Sequence, residues 1–273
     1  MTRSANRIDR TFAELRARGA KALIPYVMLG DPDVETTEAL ALAAAAAGAD
    51  LLEIGVPFSD PLADGPVLQR AAERALTQKV TLADALALVR RLRATVQIPL
   101  LFMTYYNLIF QYGDVRLANE AAAAGVDGLI VPDLPPEEAG PLDDAARAAG
   151  LHLIYLIAPT TPAARVKLIA RRAGGFLYYV SLTGITGSKL PALDEVAHGV
   201  TRIKRVTDLP VAVGFGVSTP GEAGPIARVA DGVIVASALI KRLQSQSDPQ
   251  RRINEARAFV ASLKAALPAV EAS

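Results

Sequence analysis

The chain contains no cysteine and only two histidines among its 273 residues. Without thiols there is no disulfide framework, no thiolate metal site and no cysteine nucleophile. His152 and His198 are too few for a zinc site, which wants more nitrogen or sulfur ligands, so both read as structural or exposed and no metal is expected. Neither sign of charge dominates: 29 basic residues against 28 acidic ones leave a net +1. No basic run interleaved with aromatics marks a nucleic-acid surface. No apolar run is long enough to span a bilayer, and the charged opening MTRSANRIDRTFAELRARG lacks the apolar core of a secretion signal. A soluble, cytoplasmic protein is expected. No Pro/Gly/Ser-rich linker divides the chain, so residues 1–273 read as one domain.

What is present is a large apolar content, 51%, arranged as alternating helix and strand patterns. Buried-type strands are predicted at 23–30, near 51–56, and at 98–107, 128–135, 151–159, 176–184, 209–218 and 231–240. Helical patterns fall at 8–18, up to Gly48, and at 66–78, 81–95, 114–124, 136–149, 162–173, 193–206, 219–229 and 249–266. The segments AGADLLEIG, AGVDGLIVP and VADGVIVAS repeat one motif: helix end, acid, buried strand. Apolar strands without alternation indicate a parallel sheet covered by helices, and eight units are the number that closes a barrel. The predicted class is α/β, a (β/α)8 TIM barrel with an extra N-terminal helix. An open doubly wound sheet is the alternative.

The most informative stretch is LLEIGVPFSDPLADGP, residues 51–66. Glu53 sits inside an apolar strand, where ionised carboxylates are rare without a partner or a function. Alternation puts Leu51, Glu53 and Gly55 on one face, and Gly55 is expected to leave a gap beside the acid. Pairing of Glu53 with an Arg or Lys of a neighbouring strand is the alternative. Asp64 precedes Gly65 in the following loop, a context shared with ordinary turns.

In such barrels the site lies at the C-terminal ends of the strands, with phosphate often bound by the loops after the seventh and eighth. Gly214 and Gly216 flank Phe215 just after the seventh strand, letting backbone N–H groups approach an anion. The eighth strand ends at Ala236-Ser237, before a short apolar segment that suits the extra helix. The loop from Gly184 to Gly187 offers further donors and a lid. Tight turns are the alternative use of these glycines. No lysine lies in a strand pattern, which removes a Schiff-base amine, and GFGVS is not a dinucleotide fingerprint. Carboxylates and tyrosines remain for chemistry: Glu53, Asp64 and Asp133, with Tyr105 and Tyr178.

With these residues in view, LEIGVPFSDPLADGP resembles the signature of the tryptophan synthase alpha subunit family. The likeness continues in order through PYVMLGDP, MTYYNLIF, VPDLPPEE, YYVSLTGITG and VGFGVS. It implies retro-aldol cleavage of indole-3-glycerol phosphate to indole and glyceraldehyde 3-phosphate, without a cofactor in this subunit. By the same resemblance Glu53 is the general acid/base and Asp64 stabilises charge on the indole nitrogen. A buried Glu53 should hold its proton while Asp64 stays ionised. Tyr178 is implied to hold the glycerol chain or Glu53. Tyr26, Met103, Tyr105, Ile130 and Phe215 would form the indole slot, barrel filling being their alternative. Gly187, Gly214, Gly216 and Ser237 would bind phosphate, and Thr186 would orient Asp64.

Two positions depart from the family pattern. Ala236 stands where glycine commonly precedes the phosphate-binding serine, keeping the N–H but adding a methyl. Leu182 replaces a loop arginine of some relatives, so no role passes to it. The resemblance also implies an α2β2 complex whose beta subunit carries pyridoxal phosphate and receives indole through a tunnel. Residues 57–60, with Phe58, and the region 107–135, with Leu108, would face that partner. A barrel kept only as a binding partner, or another sugar-phosphate enzyme, are the alternatives.

Overall fold

The computed structural model describes residues 6–180, 193–214 and 216–268. Among the described residues nine strands run parallel: β1 (Ala22–Met28), β2 (Leu52–Gly55), β3 (Leu100–Met103), β4 (Gly128–Ile130), β5 (His152–Ile154), β6 (Leu156–Ile157), β7 (Leu177–Val180), β8 (Val211–Gly214) and β9 (Gly232–Val235). Their order is β5-β4-β3-β2-β1-β9-β8-β7-β6. The two ends of that order are halves of a single run broken at Tyr155. Its first half pairs with β4 and its second with β7, so one strand changes partner and the barrel closes through it. The eight predicted strands are therefore present, the fifth being counted twice.

Helices cover the outside: α1 (Arg7–Ala17), α2 (Val34–Ala46), α3 (Pro66–Thr77), α4 (Leu82–Leu92), α5 (Tyr106–Tyr112) and α6 (Asp114–Ala124) in the first half. The second half adds α7 (Gly140–Ala149), α8 (Ala163–Arg172), α9 (Leu193–Lys204), α10 (Pro220–Val229), α11 (Ser237–Gln244) and α12 (Pro249–Ala266). Among the described residues no helix is long and apolar enough to cross a membrane.

The strands look uniformly apolar because both faces are buried, yet they alternate in destination. Leu23, Val27, Leu52, Ile54, Leu100, Phe102, Val211 and Val213 pack outwards against the helices. Ile24, Leu51, Leu101, Ile130, Ile154, Phe176 and Ala212 fill the barrel. Below them α1 closes the N-terminal end. Its Ile8, Phe12 and Leu15, at helical spacing, join the interior cluster, with Phe12 and Phe176 rings 5.6 Å apart. A ligand therefore has only the C-terminal end to enter.

The repeated acids of the sequence have a shared role at the sealed end. Asp50 accepts the Leu23 N–H at 2.8 Å, Asp127 that of Leu100 at 2.9 Å, and Asp231 that of Val211 at 2.9 Å. Each thus ties the preceding strand to its own. Each also meets a cation: Lys264 at 2.6 Å, Arg93 at 2.5 Å with Arg7 at 3.0 Å, and Lys204 at 2.8 Å. Asp127 is the most buried of them, and burial pulls the Arg93 guanidinium down to about 10 against the opposing pull of that aspartate.

Several strands end earlier than the sequence reading put them: the fourth stops at Ile130 and the seventh at Gly214, and at two others a helix takes over. The third strand stops at Met103, and α5 occupies residues assigned in part to it. Asp133 makes that helix start, accepting the Tyr106 N–H at 2.9 Å. The eighth strand stops at Val235 because α11 begins at Ser237. Apolar residues continue past the strand ends since the loops there line a cavity.

Breaking a buried ion pair from one side leaves its partner uncompensated. Asp127→Ala is expected to lower stability by about 3 kcal/mol or more, and Asp231→Ala, at a wetter position, by less. Urea titration followed by circular dichroism measures both, and a loss under about 1 kcal/mol for Asp127→Ala would contradict the assignment.

Candidate active site

Glu53 faces the barrel interior from the middle of β2, beside Tyr26 of β1 and Leu101 of β3. It is fully buried, and neither carboxyl oxygen has a hydrogen-bond partner among the described residues. No cation of a neighbouring strand pairs with it. Desolvation alone pushes its carboxyl up to about 8, so the acid is protonated at neutral pH.

The expected gap at Gly55 is filled. A Cβ placed there would lie 1.8 Å from the Tyr26 hydroxyl, so the glycine admits the tyrosine. Gly214 does the same for Tyr178, whose ring would lie 2.4 Å from a Cβ. Burial, and then the nearby acids, hold both phenols well above their ordinary range. These tyrosines keep their protons and can only donate or accept hydrogen bonds.

Asp64 lies in the loop between β2 and α3. The Tyr105 hydroxyl accepts the Ala63 N–H at 3.0 Å and donates to the Asp64 carboxylate. Burial raises Asp64 to about 6, with the Tyr105 hydrogen bond opposing. Gln69 holds the loop through the Asp64 carbonyl at 2.9 Å. Arg74 fixes α3 over β1 through two hydrogen bonds to Asp31, at 2.9 and 2.7 Å. Phe58 stacks on Tyr105 with ring centroids 5.2 Å apart.

The two acids open on one cavity of about 300 Å³ at the C-terminal end of the barrel. Leu68, Met103, Pro132, Leu156, Val180 and Ile234 give it apolar walls. Gly216, Ser218, Ser237 and Lys241 give it a polar margin from the loops after β8 and β9. Gly216 has φ +84°, a conformation that disfavours any side chain. Ser218 donates both its N–H and its hydroxyl to Glu222, at 2.8 and 2.7 Å. Among the described residues no group of three His, Cys, Asp or Glu is placed to hold a metal.

A family model described as tryptophan synthase alpha chain matches residues 12–268. The tryptophan synthase alpha chain of Geobacter sp. (strain M21) is 49% identical over 259 residues, covering 95% of this chain and 97% of that one. That of Chloroflexus aggregans is 50% identical over 262 residues, covering 96% and 98%. This chain belongs to the tryptophan synthase alpha chain family. The crystal structure of tryptophan synthase subunit alpha from Legionella pneumophila superposes with a TM-score of 0.90 at 42% identity, over 97% of this chain and 99% of that one. A Mycobacterium tuberculosis tryptophan synthase structure gives 0.89 at 38% identity, over 97% and 99%. Membership makes the chain a lyase of tryptophan biosynthesis on a TIM barrel.

Within this tryptophan synthase alpha chain fold, Glu53, Asp64, Met103, Tyr178, Gly216, Ala236 and Ser237 meet at the cavity. Tyr26 and Tyr105 stand behind Gly55 and Asp64 and support them. Ile130 is part of the packed interior, and Gly214 makes room for Tyr178. Thr186, Gly187 and Phe215, with Leu182 and the 183–191 loop, lie outside the described residues. Asp133 is exposed and caps α5. His152 contacts Asp9 at 2.9 Å, at the sealed end, and His198 is exposed on α9. The sequence reading missed Pro132, Leu156, Val180, Ser218 and Lys241. Lys241 had one legible signal, since it follows Ser237 by one helical turn.

The raised Glu53 pKa makes a stability prediction. The folded value, about 8, exceeds the ordinary 4.5. The group's contribution is intact below pH 4.5, and stability falls as pH rises through 8; at pH 7 the deficit is about 3 kcal/mol. Glu53→Gln cannot ionise, so its stability relative to the parent should climb between pH 5 and 8.5 in thermal or urea melts. A pH-independent difference would rule out the raised value.

Proposed function

We propose that the chain cleaves indole-3-glycerol phosphate to indole and glyceraldehyde 3-phosphate at this cavity, without a cofactor of its own. The observation carrying the reading is the pairing of a protonated, unpartnered Glu53 with a more ionised Asp64 on one apolar-walled cavity. Carboxyls whose environments separate their pKa values divide acid and base work. Glu53 gives its proton to the indole carbon that bears the glycerol chain, and positive charge develops towards the ring nitrogen. Asp64 stabilises that charge. The Glu53 carboxylate then takes the proton of the adjacent glycerol hydroxyl as the carbon–carbon bond breaks. Its electrons return to the ring, leaving indole, the aldehyde and a reprotonated Glu53. Tyr178 holds the glycerol chain, while Gly216, Ala236 and Ser237 approach the phosphate with backbone donors. The roles expected of Thr186, Gly187 and Phe215 belong to the same reading.

The working enzyme in this reading is a cytoplasmic α2β2 complex, its beta subunit carrying pyridoxal phosphate. Phe58 and Leu108 are only partly exposed, and Phe58 is held by Tyr105. Leu62 on the Asp64 loop and Phe110 on α5 are far more open, at 93% and 68% exposure. These two are the stronger docking contacts for the beta subunit.

Indole release by the purified chain, alone and with a beta subunit added, tests the reaction. Glu53→Gln and Asp64→Asn should each lower kcat by roughly 10²- to 10⁴-fold with the fold intact. In the parent, kcat/KM should rise through pH 6 as Asp64 ionises and fall through pH 8 as Glu53 loses its proton. Silence of the parent in both settings would refute the proposal. For the interface, Leu62→Asp should leave stability unchanged but weaken beta-subunit binding in sedimentation or calorimetry, and unaltered binding would exclude that surface.

A further inference from the structure

Tyr26 is a buried polar group that no step of the proposed cleavage employs. It lies on the interior face of β1, 2% exposed, and is the register partner of Glu53 on β2. Gly55 follows Glu53 by two residues on the same face, and its missing side chain lets the phenol reach across β2. Among the described residues the Tyr26 hydroxyl meets one acceptor, the Met28 sulfur at 3.6 Å. A thioether is a weak acceptor, and a buried hydroxyl ordinarily finds a better one. A strong donor is thus held beside an acid whose two oxygens have no partner among the described residues.

The titratable groups around the phenol are Asp64, Glu53, Tyr105 and Tyr178, and Lys241 stands on the margin of the shared cavity. Asp64 already has the Tyr105 hydroxyl and, at about 6, is mostly ionised at neutral pH. A resting carboxylate in need of a second donor would hold the Tyr26 hydroxyl in preference to sulfur, yet the hydroxyl stays on Met28. Glu53 differs, being neutral at rest and charged only once its proton has gone to the indole carbon. At that moment a carboxylate is buried without a partner, a costly state unless a hydrogen bond forms. The Tyr26 ring is packed in one cluster with Val67, Leu68 and Ala71 of α3, whereas a glutamate turns about three side-chain bonds, so the carboxylate comes to the phenol. We propose that Tyr26 is a positioning residue, its hydroxyl leaving Met28 to donate to the Glu53 carboxylate when that acid is charged. This rests on the reading that Glu53 is the proton donor of the cleavage. The phenol keeps its own proton throughout, and its hydrogen bond holds the carboxylate in place until it takes the proton of the glycerol hydroxyl.

The test is a carbon-13 NMR titration of the Glu53 carboxyl in the full chain without substrate, for the parent, Tyr26→Phe and Tyr105→Phe. The signal is assigned by its loss in Glu53→Gln. Phenylalanine keeps the ring that fills the space at Gly55, so urea melting of Tyr26→Phe at pH 5, where Glu53 is neutral, should match the parent. The Glu53 pKa of Tyr26→Phe should rise, its acid constant falling roughly tenfold, the scale of one lost hydrogen bond to a charged group. In turnover of indole-3-glycerol phosphate its kcat should fall roughly tenfold with KM retained, and the upper limb of its pH profile should move up with Glu53. Tyr105→Phe should instead move the lower limb, set by Asp64, and leave the Glu53 titration near the parent's. An unchanged Glu53 pKa in Tyr26→Phe overturns the assignment, and so does movement of the lower limb alone, which would give the hydroxyl to Asp64. A raised Glu53 pKa in Tyr26→Phe, with no indole released by the parent, would leave the donor in place while refuting the proposed reaction. Indole release by the parent with the Glu53 pKa unmoved in Tyr26→Phe would do the reverse.

Discussion

The structure turns on a carboxyl group buried without a partner. Taking Glu53 out of water costs stability at neutral pH, and the surrounding fold has to enforce it. α1 seals the barrel from below with Ile8, Phe12 and Leu15. Tyr26 and Tyr178 crowd in from β1 and β7 through the spaces made by Gly55 and Gly214. Both phenols stay neutral in that setting, held above their ordinary range by burial and by the nearby acids. The result is an acid that keeps its proton at pH 7, held at the floor of a cavity open only at the opposite end.

The two ends of the barrel use acids in opposite ways. At the sealed end Asp50, Asp127 and Asp231 each receive a strand N–H and a cation. Their charges are neutralised and their contribution is structural. At the open end Glu53 has no hydrogen-bond partner among the described residues, and Asp64 is hydrogen-bonded by the neutral Tyr105 hydroxyl. The same chemical group is therefore paired and structural in one place and left uncharged or weakly held in the other.

Much of this was legible along the chain. The eight apolar runs gave the barrel, and their lack of alternation was correctly a sign of burial on both faces. The repeat of helix end, acid and strand was visible, although its purpose required the neighbouring strand to be seen. Glu53 stood out because a charge inside an apolar strand contradicts its surroundings, and Asp64 followed through the resemblance of its segment to a family. Strand ends were overextended for a physical reason: cavity walls such as Leu156 and Val180 are as apolar as the core. The α5 start was hidden because its cap, Asp133, comes from a loop 27 residues away.

Local pattern thus determined the identity of the elements, the class of fold and the two acids, since periodicity and an out-of-place charge are properties of neighbouring residues. Tertiary structure alone decided what those acids face. It filled the space at Gly55 with Tyr26, placed Gly214 beneath Tyr178, left Ile130 in the packing and brought Lys241 to the cavity. These outcomes depend on register between strands distant in sequence, and on the desolvation that only their closure into a barrel creates.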